Sequence, residues 1–309
     1  MLLTKSLTTV VLLASVLVRP AHAQAPDSGP LVLRVPVSTR AVALGNAWTA
    51  GRDQDVIFYN PAQLIGARTE FAVSLGRHGG ATSGSMTSVY AAGPLSMTFG
   101  WGVHLVNFTT SGSDAYPFAP DILVRRGVFD AQSALVVAGG AFVLKGFRIG
   151  ASGKYVSDRL PAAAAGSASH HTFLADIGVA RNIVGGVGAV SFQNVGHTTM
   201  DGDPRITIPR QVSLGWSATK PAGPLDLAIV SQLTMRHGWT SPGAGLEASY
   251  SWIEGYSVAL RAGVRRPETP TERPVAIGAA FTADRLTLDY AVQFFDAGHR
   301  AQRVTLRWR

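Results

Sequence analysis

Four stretches of this 309-residue chain hold residue types that could do chemistry. Gly150-Ala151-Ser152-Gly153-Lys154-Tyr155 looks at first like a phosphate loop. Its first glycine is misplaced, however, and Tyr155 stands where a Ser or Thr would have to hold magnesium. The Ser-rich run from Ala81 to Ser88 lacks the glycine spacing of a nucleophile elbow and reads as turn and strand. His170-His171 is the one His pair. Neighbouring residues of a strand point to opposite faces, so the two rings cannot share a metal without a bulge. Asp201-Gly202-Asp203-Pro204 starts like a calcium loop but has none of the later ligands, and it reads as a turn. Asn107-Phe108-Thr109 fits a glycosylation sequon, a pattern that by itself carries little meaning. With no Cys, thiol catalysis, disulfides and Cys-based zinc are excluded. The expectation is a non-enzymatic protein with no catalytic residues, no metal and no cofactor.

Two other sets of residues suit binding better than catalysis. The first is Asp53, Asp55, Tyr59, Asn60, Pro61 and Ala62, where Asx side chains can satisfy irregular backbone and Pro61 can fix a turn. This set reads as structural or as part of a ligand path. The second is Arg261, Arg265, Arg303 and Arg307, which depend on the elements that carry them. In Arg303-Val304-Thr305-Leu306-Arg307-Trp308-Arg309, Val304, Leu306 and Trp308 share one face and the arginines the other. If the apolar face meets lipid, the arginines point inward. They then favour anions unless Asp176, Glu247 and Asp289 neutralise them.

The same period-two alternation runs along most of the chain. Leu286, Leu288, Tyr290, Val292 and Phe294 alternate with Thr287, Asp289, Ala291 and Gln293. About fourteen such strands follow residue 67, each of roughly ten residues and bounded by turn signals such as Gly93-Pro94, Gly185-Gly186 and Asp296 to Gly298. The links alternate between short ones and longer polar ones, including 110–130, 159–169 and 196–209. Transmembrane β-barrels show that asymmetry, and closure removes unpaired strand edges. The predicted fold class is all-β: an antiparallel transmembrane β-barrel of about fourteen strands with a short N-terminal hatch. The hatch contains a helix-like spacing from Thr39 to Gly51, with Ser38 or Thr39 able to cap.

Composition and the N-terminus agree. Charged residues make up only 15% of the chain, yet past the N-terminus no apolar run is long enough for a spanning helix. The formal charge of +8 comes from scattered arginines, with Lys at only positions 5, 145, 154 and 220, so it is no nucleic-acid footprint. Lys5, the apolar run Leu7 to Val18 and Ala21-His22-Ala23 have the form of a cleaved export signal. The expected organisation is signal peptide 1–23, N-terminal extension and hatch 24–66, and barrel 67–309.

Gly45-Asn46-Ala47-Trp48-Thr49-Ala50, then Asp53, Asp55 and Phe58-Tyr59-Asn60-Pro61-Ala62, resembles the signature of the PorV/PorQ family, part of the FadL-like group of outer-membrane barrels. Lys154-Tyr155, Asp176-Ile177-Gly178, Gln193-Asn194-Val195-Gly196, Gly245-Leu246-Glu247, Leu260-Arg261-Ala262-Gly263, Leu288-Asp289-Tyr290-Ala291 and His299-Arg300 are similar to its later motifs. Gln63 replaces the usual Gly after Asn-Pro-Ala. The resemblance implies a fourteen-stranded barrel in the bacterial outer membrane. Its main functional implication is a non-enzymatic factor that binds or anchors secreted protein cargo or type IX secretion-system subunits. The alternative is a FadL-like channel for small hydrophobic solutes, and a third reading is a secreted soluble β-protein. Expected partners are outer-membrane lipid, secretion proteins or hydrophobic small molecules, and no nucleic acid.

Overall fold

The computed structural model describes residues 30–79, 82–93, 98–111, 128–162, 166–183, 185–199, 208–236, 238–269 and 271–309. The export signal assigned to residues 1–23 and the turn at 201–204 lie outside these.

Fourteen antiparallel strands close into one barrel. They are β1 (Glu70–Gly79), β2 (Thr82–Gly93), β3 (Thr98–Ser111), β4 (Val128–Leu144), β5 (Phe147–Ala162), β6 (Gly166–Ile183), β7 (Gly186–Thr199), β8 (Gln211–Ala222), β9 (Leu225–Arg236), β10 (Trp239–Ile253), β11 (Tyr256–Arg265), β12 (Glu272–Ala283), β13 (Leu286–Phe295) and β14 (Arg300–Trp308). Each pairs with its sequence neighbours, and β1 closes on β14 in the register Phe71↔Trp308 to Gly79↔Arg300. The strands run from 9 residues in β14 to 18 in β6, longer in the first half than the roughly ten residues expected. No helix among the described residues is long and apolar enough to cross a membrane.

Alternation decides which way each side chain faces. On β14, Val304, Leu306 and Trp308 are 40%, 49% and 61% exposed, whereas Arg303, Thr305 and Arg307 are buried inside. Phe71, Leu75, Leu260, Ile277, Leu288 and Phe173 continue the apolar outer wall. Aromatic clusters bracket it: Tyr250, Trp252, Tyr256 and Phe281 near the short β10–β11 turn, and Tyr155 with Phe173 toward the other end. Phe147 and Tyr155 both lie on β5, eight residues apart in the numbering. At about 3.3 Å per residue and a tilt near 40°, that places them roughly 20 Å apart along the barrel axis, close to the height of an outer-membrane apolar band. One rim carries the tight turns, for example Lys145-Gly146, both with positive φ as a type I′ hairpin requires. The other rim carries the longest links, 112–127 and 200–210, but the long loop expected at 159–169 shrinks to 163–165 because β5 and β6 extend through it, and β9 and β10 are joined by only two residues.

The segment preceding β1 fills the lumen. It holds a 3₁₀ turn (Leu31–Leu33), one helical turn α1 (Thr39–Ala43) and two further 3₁₀ turns (Gln54–Phe58 and Pro61–Gly66). Ser38 caps α1, its Oγ accepting from Ala41 N at 2.9 Å. The helix-like spacing of Thr39 to Gly51 yields only this one turn, because Gly45 and Asn46 both adopt left-handed φ and turn the chain. Trp48, Leu44, Ile57 and Leu64 of the hatch pack on inward-facing Tyr90, Val137, Leu135 and Leu174 of the wall.

Leu260 lies mid-strand on β11 and is 68% exposed. We predict that Leu260→Arg destabilises the protein refolded into lipid vesicles by about 2–4 kcal/mol, since a midplane arginine must leave water. A cost below about 0.5 kcal/mol in denaturant titrations would mean that this face is not in lipid.

Candidate functional site

The hatch backbone is irregular, so its polar groups must find partners inside the barrel. Inward side chains of the wall supply them. Gln232 Oε1 accepts from Trp48 N (2.9 Å) and Thr49 N (2.8 Å), Ser217 Oγ donates to Ala50 O (2.8 Å), Ser191 Oγ to Tyr59 O (2.7 Å) and Gln193 Nε2 to Phe58 O (2.9 Å). Asn60 is fully buried and acts on both sides of its turn. Its Oδ1 accepts from Ala62 N (3.1 Å), capping the turn that opens with Pro61, and its Nδ2 donates to Thr49 O (3.0 Å). The wall also makes room. A Cβ on Gly150 would overlap the Pro61–Ala62 backbone, and one on Gly178 would overlap Asn60 Oδ1.

Charges join hatch to wall nearer the tight-turn rim. Arg40 reaches Asp53 (2.9 Å) and Glu247 (2.5 Å), and Arg261 joins Glu247 and Asp289 (both 2.5 Å). Arg307 closes the chain on Asp289 (2.7 Å) and Asp53 (3.0 Å). Glu70 pairs with Arg309 (2.5 Å) and accepts from Gln54 (2.6 Å). Three guanidiniums thus interleave with three carboxylates in a continuous buried network. Burial alone would raise the Asp53 carboxyl, but Arg40 and Arg307 outweigh it and hold the group well below the usual range. Asp55, two residues on, behaves oppositely. Burial, then the neighbouring Asp53 charge, pushes it up to about 7, although Trp48 Nε1 donates to its Oδ1 at 2.7 Å. Burial likewise pushes the Tyr59 phenol up to about 12, and its oxygen accepts from Ser38 N at 3.3 Å.

Two clusters lie toward the longer loops. Lys154 pairs with Asp176 (2.7 Å) and donates to Asn194 Oδ1 (2.9 Å), at a β6–β7 bulge where Asn194 has φ +59°. Arg265 meets Glu272 (2.5 Å) and Glu268 (3.4 Å), and Arg236 meets Glu268 (3.1 Å). Of the four arginines singled out from alternation, Arg261 and Arg307 belong to the network, Arg265 to the Glu268 cluster, and Arg303 donates to Pro36 O of the hatch. All four are buried. Arg40, Arg236, Gln232 and Glu268 were missed from sequence, because nothing local marks a residue whose partner lies far along the chain. His171, by contrast, faces outward and stacks on Tyr155 at 5.8 Å. Among the described residues no group of three His, Asp or Glu stands together as metal ligands would.

Above the hatch, toward the longer loops, opens a small pocket with a cavity volume of about 70 Å³. Val32, Val35, Val37, Phe58 and Leu135 form its apolar floor, and Arg236, Trp239, Arg265 and Glu268 stand on its wall.

No family model matches the chain, and no curated protein does. Solved structures do. The Pseudomonas putida toluene transporter TodX aligns with a TM-score of 0.58 at 11% identity, covering 92% of this chain and 98% of its own. The Ralstonia pickettii toluene transporter TbuX gives 0.58 at 13% identity, covering 88% and 98%. A Pseudomonas aeruginosa FadL homologue gives 0.53 at 11%, covering 91% and 99%. These likenesses, at 11–13% identity, show the β-barrel fold alone and carry nothing for the narrower PorV/PorQ placement.

Two outcomes follow. Because the Asp55 value is raised in the folded protein, it favours the folded state fully below about pH 4, and that contribution is lost as pH rises through 7. Asp53, held low, acts in the opposite sense: its contribution grows as pH rises through the ordinary carboxylate range and is complete above about pH 5, so it adds no slope beyond that. Stability should therefore fall by up to ~4 kcal/mol between pH 4 and 8 from Asp55. Asp55→Asn, which keeps an acceptor for Trp48, should reduce that fall; an unchanged slope in chemical unfolding would remove Asp55 as a contributor. Separately, Gly150→Ala should cost about 1–3 kcal/mol and speed protease cleavage of the hatch. Gly153→Ala on the same strand, with open space at its Cβ, should do neither.

Proposed function

We propose that this protein is exported through a cleaved leader to the bacterial outer membrane, where it admits small, largely apolar molecules, with the hatch as its gate. The observation that carries this reading is the pocket. It has an apolar floor of Val32, Val35, Val37, Phe58 and Leu135, opens toward the longer loops, and sits directly on a hatch that plugs the lumen beneath it. Apolar floors with a few placed polar groups are what small-ligand sites are made of. The FadL-like fold, shared with two structures described as toluene transporters, supports the same reading.

The plug itself favours a second reading. A lumen closed by buried ion pairs beneath broad loops suits a protein that binds secreted cargo or secretion-system subunits at its rims, with no solute passing.

Crosslinking separates the two. Thr39 Oγ1 of the hatch lies 2.5 Å from Thr305 Oγ1 of β14, and the chain has no Cys of its own. In the transport reading, cells expressing the wild type take up labelled toluene faster than cells lacking the protein. The oxidised Thr39→Cys/Thr305→Cys pair stops that uptake, and reduction restores it. Uptake unaffected by the closed crosslink would show that the hatch is not the gate. Uptake no faster than without the protein would reject transport in favour of partner binding.

A further inference from the structure

The polar side of the outer pocket is almost entirely self-satisfied. Gln211 Nε2 donates to Gln193 Oε1 (2.5 Å) and its Oε1 accepts from Arg236 Nε (2.9 Å). Gln193 Nε2 is committed to Phe58 O, and both ends of Asn194 are committed to Lys154 and Pro209. Of the four cations in the lining, Lys154, Arg236 and Arg265 are each ion-paired with Asp176, Glu268 or Glu272, and the fourth, Arg34, lies in the field of Glu268 and helps hold that carboxyl low. An anionic ligand would therefore have to compete with built-in carboxylates for these cations after losing its own hydration.

Two pocket groups stand outside this closed set. Trp239, at the start of β10, is only 4% exposed, lines the pocket with Arg236 over its ring at 5.3 Å, and has no acceptor for its Nε1–H among the described residues. Asn46, held at φ +56° in the hatch, lines the same pocket and has no donor to its Oδ1 among the described residues. Ser241 and Gly243 follow Trp239 along β10 and also line the pocket, and Gly243 brings no side chain into the space. A lone buried indole N–H and a lone amide oxygen are each costly without a partner, and together they ask for one ligand able both to accept and to donate. A carboxylate could satisfy the first and would be repelled by the second; a pure hydrocarbon satisfies neither.

We infer that the outer pocket selects an uncharged hydrogen-bonding head, a hydroxyl or carboxamide, carried on an apolar body that rests on the Val35–Phe58–Leu135 floor, and that Trp239 is its specificity residue. This assignment rests on the solute reading of the protein, and it refines the substrate class from apolar molecules to neutral amphipathic ones.

Calorimetric titration of the full-length protein in detergent, with benzyl alcohol, benzamide, toluene and benzoate as probes of one ring size, tests it. Benzyl alcohol and benzamide should bind more tightly than toluene or benzoate. Trp239→Phe keeps the ring and loses the N–H, so it should weaken benzyl alcohol about 3- to 10-fold, the worth of one neutral hydrogen bond, and shift toluene less than about 2-fold. Benzoate binding at least as tightly as benzyl alcohol would overturn the assignment, as would an unchanged alcohol affinity in Trp239→Phe. Head-group selectivity with no uptake in cells would leave the site standing and reject transport. Uptake without selectivity would do the reverse.

Discussion

A lipid-facing wall leaves the inside of the barrel as the one place where a polar, irregular segment can be accommodated, and the hatch can lie there only if every backbone group it brings is answered from the wall. That requirement organises the structure. Gln232, Ser217, Ser191 and Gln193 are barrel residues whose side chains bond to hatch backbone in place of water. Gly150 and Gly178 are places where the wall gives up its side chains so that the hatch can come within contact distance. Hydrogen bonds and space are supplied together, strand by strand, so hatch and wall are one packed unit.

The same environment decides the fate of charge. Arg40, Arg261 and Arg307 would each be prohibitive alone in this interior, and they persist because Asp53, Glu247 and Asp289 lie between them. An alternating network has a further property: removing any one member leaves a neighbour of the opposite sign buried without compensation. It therefore holds the hatch in one position more strictly than apolar packing would. At the other end the balance differs. There the floor is apolar, Lys154, Arg236 and Arg265 have turned to carboxylates, and Trp239 and Asn46 present neutral hydrogen-bonding groups toward the pocket. One lumen thus has a sealed, ionic lower part and a receptive upper part.

The period of two was legible residue by residue: it placed Val304, Leu306 and Trp308 outside and the arginines of β14 inside without reference to anything else in the chain. Turn chemistry marked the strand ends for a similar reason, since Lys145-Gly146 and Gly185 act within a few residues. Local spacing failed at Thr39 to Gly51, where two left-handed residues stop after one turn what the apolar pattern would have continued. Asp53 and Asp55 make the limit plain. As neighbours in a short acidic motif they are interchangeable, yet one is clamped between guanidiniums and the other sits against an indole, and their proton affinities move in opposite directions.

The amino-acid sequence by itself determined the barrel, its inward and outward faces and the existence of a separate N-terminal segment, because alternation and turns are written in contacts between near neighbours. Only the tertiary structure decided that Arg261, Arg265 and Arg307 are neutralised, that the hatch packs inside the barrel, and that Trp239 and Asn46 line one pocket. Those outcomes depend on residues up to more than two hundred positions apart, such as Arg40 and Glu247, brought together by closure of the sheet. No local pattern records such a meeting, since the free energy of each pair is set by the dielectric and the partners that closure creates.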